Sequence, residues 1–404
     1  MNVPTERELL LDALLTDHGA AGPYEALRRL RETRPVLVTR SGVLVLSRYD
    51  DCAAALRDRR LGKADESLGF GLSEIPDELQ RRAMHRFRRT MLFRNPPDHH
   101  RLRRLVADVF TPRHIDELRS RIITQIHHLL NVMEVQVFVD IITDLALPLP
   151  VNVIGELLGV PAADRAVAAP LVRALLASLE PGANVEALTA ACEAENQLAM
   201  YFADLLAVKR ARPADDLLSR LAVAHGDDIL DDDECVGTAI LLFAAGFETT
   251  TNLIGNGVAA LLAHPDQMRE LGARPDLASN AVEELLRYDS PVQTNGRTVL
   301  EPTRLAGVDL HPGQIVLTLL GAANRDPDRF CDPDKLDITR TGVPPLSFGA
   351  GIHFCLGAPL ARLEGSLLFP ILVARFPGLQ LVEQPRWRTG LSFRGLSSLK
   401  VATR

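Results

Sequence analysis

From Asp231 to Ala263 the sequence is mostly apolar after its acidic start, free of proline and compatible with a single uninterrupted helix. At 1.5 Å per residue that helix would be roughly 50 Å long, more than most globular helices reach, so any fold for this chain has to be built around it. Asp231, Asp232, Asp233 and Glu234 suit its positive N-terminal end, and His264-Pro265 stops it. Its length would also suit a membrane span. Glu248, Asn252 and Asn256 argue against one, because each would carry a polar group into hydrocarbon. A long helix inside a large globular protein is the reading that remains.

Of the 404 residues, 47% are hydrophobic and 24% charged, which is enough to bury a large core in one large domain or two smaller ones. Most segments have helical periodicity and end at proline or glycine, while alternating runs are short and few. The fold class is therefore mainly α with small β-sheets. Val36 to Val38 and Val43 to Leu46 flank Ser41-Gly42 as an early hairpin, and further strands are expected near Thr298 to Leu300, Gln314 to Leu319 and Leu379 to Val382.

A formal charge of −7 argues against nucleic acid or an anionic membrane as the main partner. Yet nine arginines lie between Arg81 and Arg104 with only Asp98 against them, a local basic surface or a solvated face. The cysteines, Cys52, Cys192, Cys235, Cys331 and Cys355, are odd in number and lack CxxC or zinc-like spacing, so no disulfide framework is expected. Glu6, Glu8, Asp12 and Asp17 interrupt the N-terminal stretch, which has no apolar run long enough for a signal peptide or anchor. The expected location is the cytoplasm.

The segment Phe348-Gly349-Ala350-Gly351-Ile352-His353-Phe354-Cys355-Leu356-Gly357 precedes a helical pattern with Leu360, Leu363, Leu367 and Ile371 on one face. Glycines before the cysteine permit a tight turn that brings backbone N–H groups towards the sulfur, and the helix adds its positive end; both favour a thiolate. On its own, a cysteine beside glycines is commonly structural. The full string, however, resembles the haem-binding signature of the cytochrome P450 family, FGxGxHxCLG, at every fixed position, and the match continues through Ala358-Pro359-Leu360-Ala361-Arg362. The resemblance implies haem b, with Phe348 and Gly349 in its loop, Cys355 as the iron ligand and His353 at a propionate. Pro370, inside the following helix, is expected to kink it or end it early.

Ala245-Gly246-Phe247-Glu248-Thr249-Thr250 lies at the middle of the long helix. Polar groups in an apolar helix are costly unless paired. Thr249 can bond back to its own helix, and Gly246 permits a local widening. The string also resembles the P450 oxygen-activation motif, (A/G)Gx(D/E)T, which implies that Thr249 contacts dioxygen and Glu248 relays protons. Leu241, Ala244 and Ala245, one to two turns earlier on the same face, are candidates for the substrate wall.

Glu284-Leu285-Leu286-Arg287 places a carboxylate and a guanidinium at i and i+3. The resemblance implies that Glu284, Arg287 and Arg340 form a buried structural network. Asn95-Pro96-Pro97-Asp98-His99-His100-Arg101-Leu102-Arg103 is similar to the family's DPPEHxRLR segment, which implies that His99 and Arg103 contact propionates. Arg297 matches another propionate arginine, with a rim charge as the alternative. The pocket is expected to involve the stretch from Leu61 to Phe93 together with Val292, Asn295 and Phe393. Small residues at Ala244 and Ala245 leave room for a bulky lipophilic substrate.

The matches run from about residue 95 to 400 in the family's order, which implies a single domain over residues 1–404. The implied activity is a monooxygenase that inserts one oxygen atom from O2 by hydroxylation or epoxidation. Oxidative coupling or desaturation on the same fold and a non-catalytic haem- or ligand-binding role are the alternatives; a peroxide-driven enzyme is disfavoured by Glu248-Thr249. No GxGxxG element follows a strand, so a ferredoxin and a ferredoxin reductase are expected as external donors. If Arg103 turns inward, at least one of Arg101 and Arg104 faces out to steer the acidic ferredoxin.

Overall fold

The computed structural model describes residues 22–63, 76–180, 183–226 and 230–404. The acidic N-terminal residues Glu6 to Asp17, and residues 64–75 of the expected pocket stretch, lie outside them. The chain groups into two compact units. The first takes the described residues of Met1–Gly62, together with Ile123–Ala146 and Thr251–Arg404; the second takes Lys63–Ile122 and Leu147–Thr250.

Every strand among the described residues falls in the first unit. In chain order they are β1 (Val36–Val38), β2 (Leu44–Leu46), β3 (Leu61–Gly62), β4 (Phe138–Asp140), β5 (Thr294–Val299), β6 (Thr303–Leu305), β7 (Val308–Leu310), β8 (Ile315–Leu319), β9 (Gln380–Leu381), β10 (Arg386–Trp387), β11 (Leu396–Ser398) and β12 (Lys400–Ala402). The expected hairpin forms, with Val36 opposite Leu46. A five-stranded sheet runs β1-β2-β8-β5-β3, in which β2 lies parallel to β8 and the remaining pairs are antiparallel. Leu44, Leu46, Val299 and Val316 from this sheet share a core with Phe330, Leu346 and Ala350. That core anchors the segment leading to Cys355.

The helix after the cysteine, Ala358–Arg375, packs on the helix Ala278–Tyr288. Gly365 permits the approach: a Cβ there would meet Val282 Cγ2 at 2.9 Å. Pro370 does not end this helix, which continues to Arg375. Leu368, Phe369, Leu372 and Val373 are buried on either side of it, and their packing outweighs the one missing hydrogen bond.

The second unit is helical, with Asp98–Ala107, Pro148–Leu158, Ala162–Ala177, Val185–Ala211, Leu217–Gly226 and the first part of the long helix, Asp232–Ala263. The long helix opens on a reciprocal capping box. Glu234 N–H donates to Asp231 Oδ1 at 2.8 Å, and Asp231 N–H donates to Glu234 Oε2 at 3.3 Å. Phe243 sits edge-on to both Phe202 and Phe247, with ring centroids 5.9 and 5.4 Å away. Glycines let neighbours close in: a Cβ at Gly237 would stand 2.5 Å from Arg86 O, and one at Gly246 would stand 2.3 Å from Ile154 Cγ1. Gly246 therefore serves close packing; the helix is α throughout, without the widening its glycine would permit. His264-Pro265 does stop the helix, and Pro265 starts the next one, Pro265–Ala273. Among the described residues no single helix is long and apolar enough to cross a membrane.

Candidate active site

The middle of the long helix is almost sealed. From Cys235 to Val258, Ala245, Gly246 and Thr249 are the residues that are not buried. Their i, i+1, i+4 spacing makes one patch on one face, so the opening is local. Of the three candidates for the substrate wall, Ala245 lies in this patch, whereas Leu241 and Ala244 are buried. Thr249 Oγ1 donates to Ala245 O at 3.2 Å, the back-bond its position allows. Glu248 beside it is 2% exposed, and Arg173 Nε from the helix Ala162–Ala177 lies 3.4 Å from its Oε2. A buried carboxyl group, paired with a cation, thus adjoins in the chain a residue whose hydroxyl is accessible.

On the helix Asp98–Ala107, His99 is buried and Arg103 is half-buried one turn on. Burial, reinforced by the positive charges of Arg103 and His100, holds the His99 pKa down to about 4, so the ring is neutral at physiological pH. Arg104 is exposed. Arg101 is not a free basic charge: its guanidinium donates to Glu234 Oε1 at 2.6 Å. Arg86 pairs with Asp233 at 2.9 Å, and Arg89 pairs with both Asp231 and Asp233. The acidic start of the long helix therefore pairs with three of the nine arginines, Arg86, Arg89 and Arg101, in the run that the sequence presents as a basic surface.

In the first unit, the cysteine loop closes where Cys355 N–H donates to Phe348 O at 3.0 Å. Gly349 and Gly351 have φ of +68° and +73°, and a Cβ at Gly351 would stand 2.3 Å from Leu56 O, so both positions demand glycine. Phe348, Gly349, His353 and Cys355 are half-buried, leaving this face of the loop accessible. Arg362 stacks on Phe348, 4.5 Å from the ring centroid, and pairs with Glu283. The sequence reading gave Arg362 no role; a cation one turn into the helix and an aromatic at the loop's start were its signal.

Arg297 on β5 is 1% exposed, and its partners are Asn295 Oδ1 and the Gly296 carbonyl. No carboxylate pairs with it among the described residues, and burial alone pulls its pKa down to about 10. A buried cation with neutral partners fits an anion such as a haem propionate, while the half-buried Cys355 suits a metal ligand. The residues present fit a haem.

Glu284, Arg287 and Arg340 are brought together. Arg287 donates to both oxygens of Glu284 at 2.7 and 2.8 Å and to the carbonyls of Asn324, Pro333 and Lys335, while Arg340 Nε donates to Glu284 Oε2 at 3.1 Å. Val292 and Phe393 face each other across an antiparallel bridge, and both are half-buried, as is Asn295.

The Cytochrome P450 family model matches residues 275–387, which include Glu284, Arg287, Arg297, Arg340 and Cys355. The chain is 38% identical over 384 residues to the biotin biosynthesis cytochrome P450 of Bacillus subtilis, covering 94% of this chain and 95% of that one. It is also 38% identical over 389 residues to the 6-deoxyerythronolide B hydroxylase of Saccharopolyspora erythraea, with 94% and 95% covered. The chain belongs to the cytochrome P450 family. A solved structure of Mycobacterium smegmatis CYP164A2 in its ligand-free state superposes on this P450 with a TM-score of 0.88 at 36% identity, covering 97% of this chain and 99% of the other. The P450 is thus a monooxygenase that binds haem b.

Proposed function

We propose that Cys355 supplies the thiolate to haem iron, that Arg297, His353, His99 and Arg103 hold the propionates, and that Thr249 and Glu248 deliver protons. The observation that carries this reading is the isolated accessible patch of Ala245, Gly246 and Thr249 on an otherwise buried helix, with the buried Glu248 next to Thr249 in the chain. Haem, when bound, supplies the site at which dioxygen is bound and reduced. The chain does the rest. Thr249 presents a hydroxyl that can be passed from the Ala245 carbonyl to a ligand, and Glu248 offers a carboxyl group whose position Arg173 holds. On this reading Ala245 in the second unit, and Val292, Asn295 and Phe393 in the first, are each substrate-contacting residues for a bulky, natural-product-like molecule, which is then hydroxylated or epoxidised. Electrons come from an acidic iron-sulfur protein of the ferredoxin type, served by its reductase. Among the described residues none of the five cysteines is in a disulfide, which supports a reducing, cytoplasmic setting.

Soret-shift titration of the purified protein against a chemically diverse lipophilic library tests the pocket; bulky ligands should displace the spin equilibrium and small terpenes should not. In the reduced carbon monoxide complex the Soret band should carry the strong red shift of thiolate ligation, and Cys355→Ser should abolish it. Loss of that band on changing Cys331 or Cys235 instead would sink the assignment.

A further inference from the structure

Two backbone hydrogen bonds fasten the bridge between Val292 and Phe393. Gln293 N–H donates to Ser392 O at 2.9 Å, and Arg394 N–H donates to Pro291 O at 2.9 Å. In extended chain, successive side chains point to opposite faces. At the bridge itself Val292 and Phe393 are half-buried, and the residues that follow them, Gln293 and Arg394, are buried. Whatever holds Arg394 behind the bridge therefore sets how Phe393 is shown in front of it.

Arg394 is held from several sides. Its Nε donates to Asp289 Oδ1 at 2.7 Å, and the two side chains are 9% and 10% exposed. Tyr24 O–H donates to the same carboxylate oxygen at 2.7 Å, and burial together with Asp289 pushes that phenol's pKa up, so it remains a donor. The Trp387 ring centroid lies 3.6 Å from the Arg394 guanidinium carbon. Asn256, on the long helix, donates to the main-chain carbonyls of Asp289 and Arg394 at 3.3 and 3.1 Å. Apolar residues could fill this space with equal or greater stability; what a buried pair offers beyond them is a single register.

The geometry points to Arg394 as a positioning residue of this P450: through Asp289 it fixes the register in which Val292 and Phe393 meet the ligand, and so it selects which bulky molecules the pocket accepts. This rests on the reading of those two residues as pocket wall. Arg394 touches no substrate itself.

Econazole and imidazole both coordinate haem iron through a ring nitrogen, but only the bulky one presses on the wall, so the ratio of their Kd values separates wall geometry from iron ligation. The ratio is to be measured by Soret titration of the holoenzyme for the wild type, Phe393→Ala, Arg394→Met, Arg394→Lys and Asp289→Asn. Phe393→Ala, Arg394→Met and Asp289→Asn should each move it by about threefold or more, and Arg394→Lys, which keeps the charge, should recover most of the wild-type value. If Arg394→Met does not retain haem, the near-isosteric Asp289→Asn decides. A ratio moved by Phe393→Ala but not by the Asp289 and Arg394 changes overturns the inference and leaves the pocket reading standing. Equal weakening of both azoles also overturns it, since the pair would then support the haem site in general. A ratio that Phe393→Ala leaves unmoved overturns the pocket reading, and the inference with it.

Discussion

Arg173 Nε lies 3.4 Å from Glu248 Oε2, and the Glu248 side chain is almost wholly buried while the Arg173 side chain is 38% exposed. The pair links a group at the centre of the long helix to one that solvent can reach. Arg173→Leu should lower product formed per reducing equivalent by roughly 2- to 10-fold, less than the ~10²-fold that loss of a proton donor itself costs. Arg173→Lys should largely preserve it. Ligand-induced Soret shifts should be unchanged in both, and a product ratio equal to wild type in Arg173→Leu would detach Arg173 from proton delivery.

Thr249→Ala removes the accessible hydroxyl but no buried packing. Haem content and ligand binding should persist, while electrons are diverted to peroxide or water, because an interaction made along the reaction path is lost and not a binding contact. Product per nicotinamide consumed is the quantity to measure. If it does not change, Thr249 is a helix residue bonded to Ala245 and nothing more.

Arg101 and Arg104 are expected to part company. Arg104→Glu should slow reduction by a small acidic iron-sulfur protein several-fold at low salt, with the difference fading as the Debye length shrinks to about 8 Å. Arg101→Glu puts a carboxylate against Glu234 and Asp98, so its main effect should be a lower Tm. Equal effects of the two changes on reduction rate would restore Arg101 to the docking surface.

Glu364, on the helix after Cys355, is fully buried, and neither carboxyl oxygen has a hydrogen-bond partner among the described residues. Burial pushes its pKa well above the ordinary 4.5. The folded state thus keeps a proton that the unfolded state releases, so this group favours folding least as pH rises above about 4.5 towards its folded value. Glu364→Gln should remove that penalty, flattening Tm between about pH 5 and pH 8 and raising it at the upper end. A variant that melts lower than wild type at pH 8 would show that the carboxyl group has an ionised, stabilising role.

What could be read from the chain was what short spacings encode. The long helix, the glycine positions before Cys355 and the Glu284-Arg287 pair each depend on neighbours within a turn or two, and all three took the expected form. The fate of the arginine run did not, because Arg86, Arg89 and Arg101 meet Asp231, Asp233 and Glu234, which are more than a hundred residues away. Gly246 was ambiguous for a related reason: helix distortion and a close neighbour leave the same glycine in the sequence, and only the position of Ile154 tells them apart. Arg394 gave no signal at all, since one arginine near the C-terminus looks like any surface charge until Asp289 and Tyr24 are found around it.

Trp387 is the single tryptophan of the chain, and the Arg394 guanidinium stacks on it. Indole emission responds to the charge and polarity beside the ring, so this protein carries its own optical label next to the bridge that holds Phe393. Movements of that hairpin can be followed by fluorescence without attaching a dye, and without an overlapping signal from any second indole.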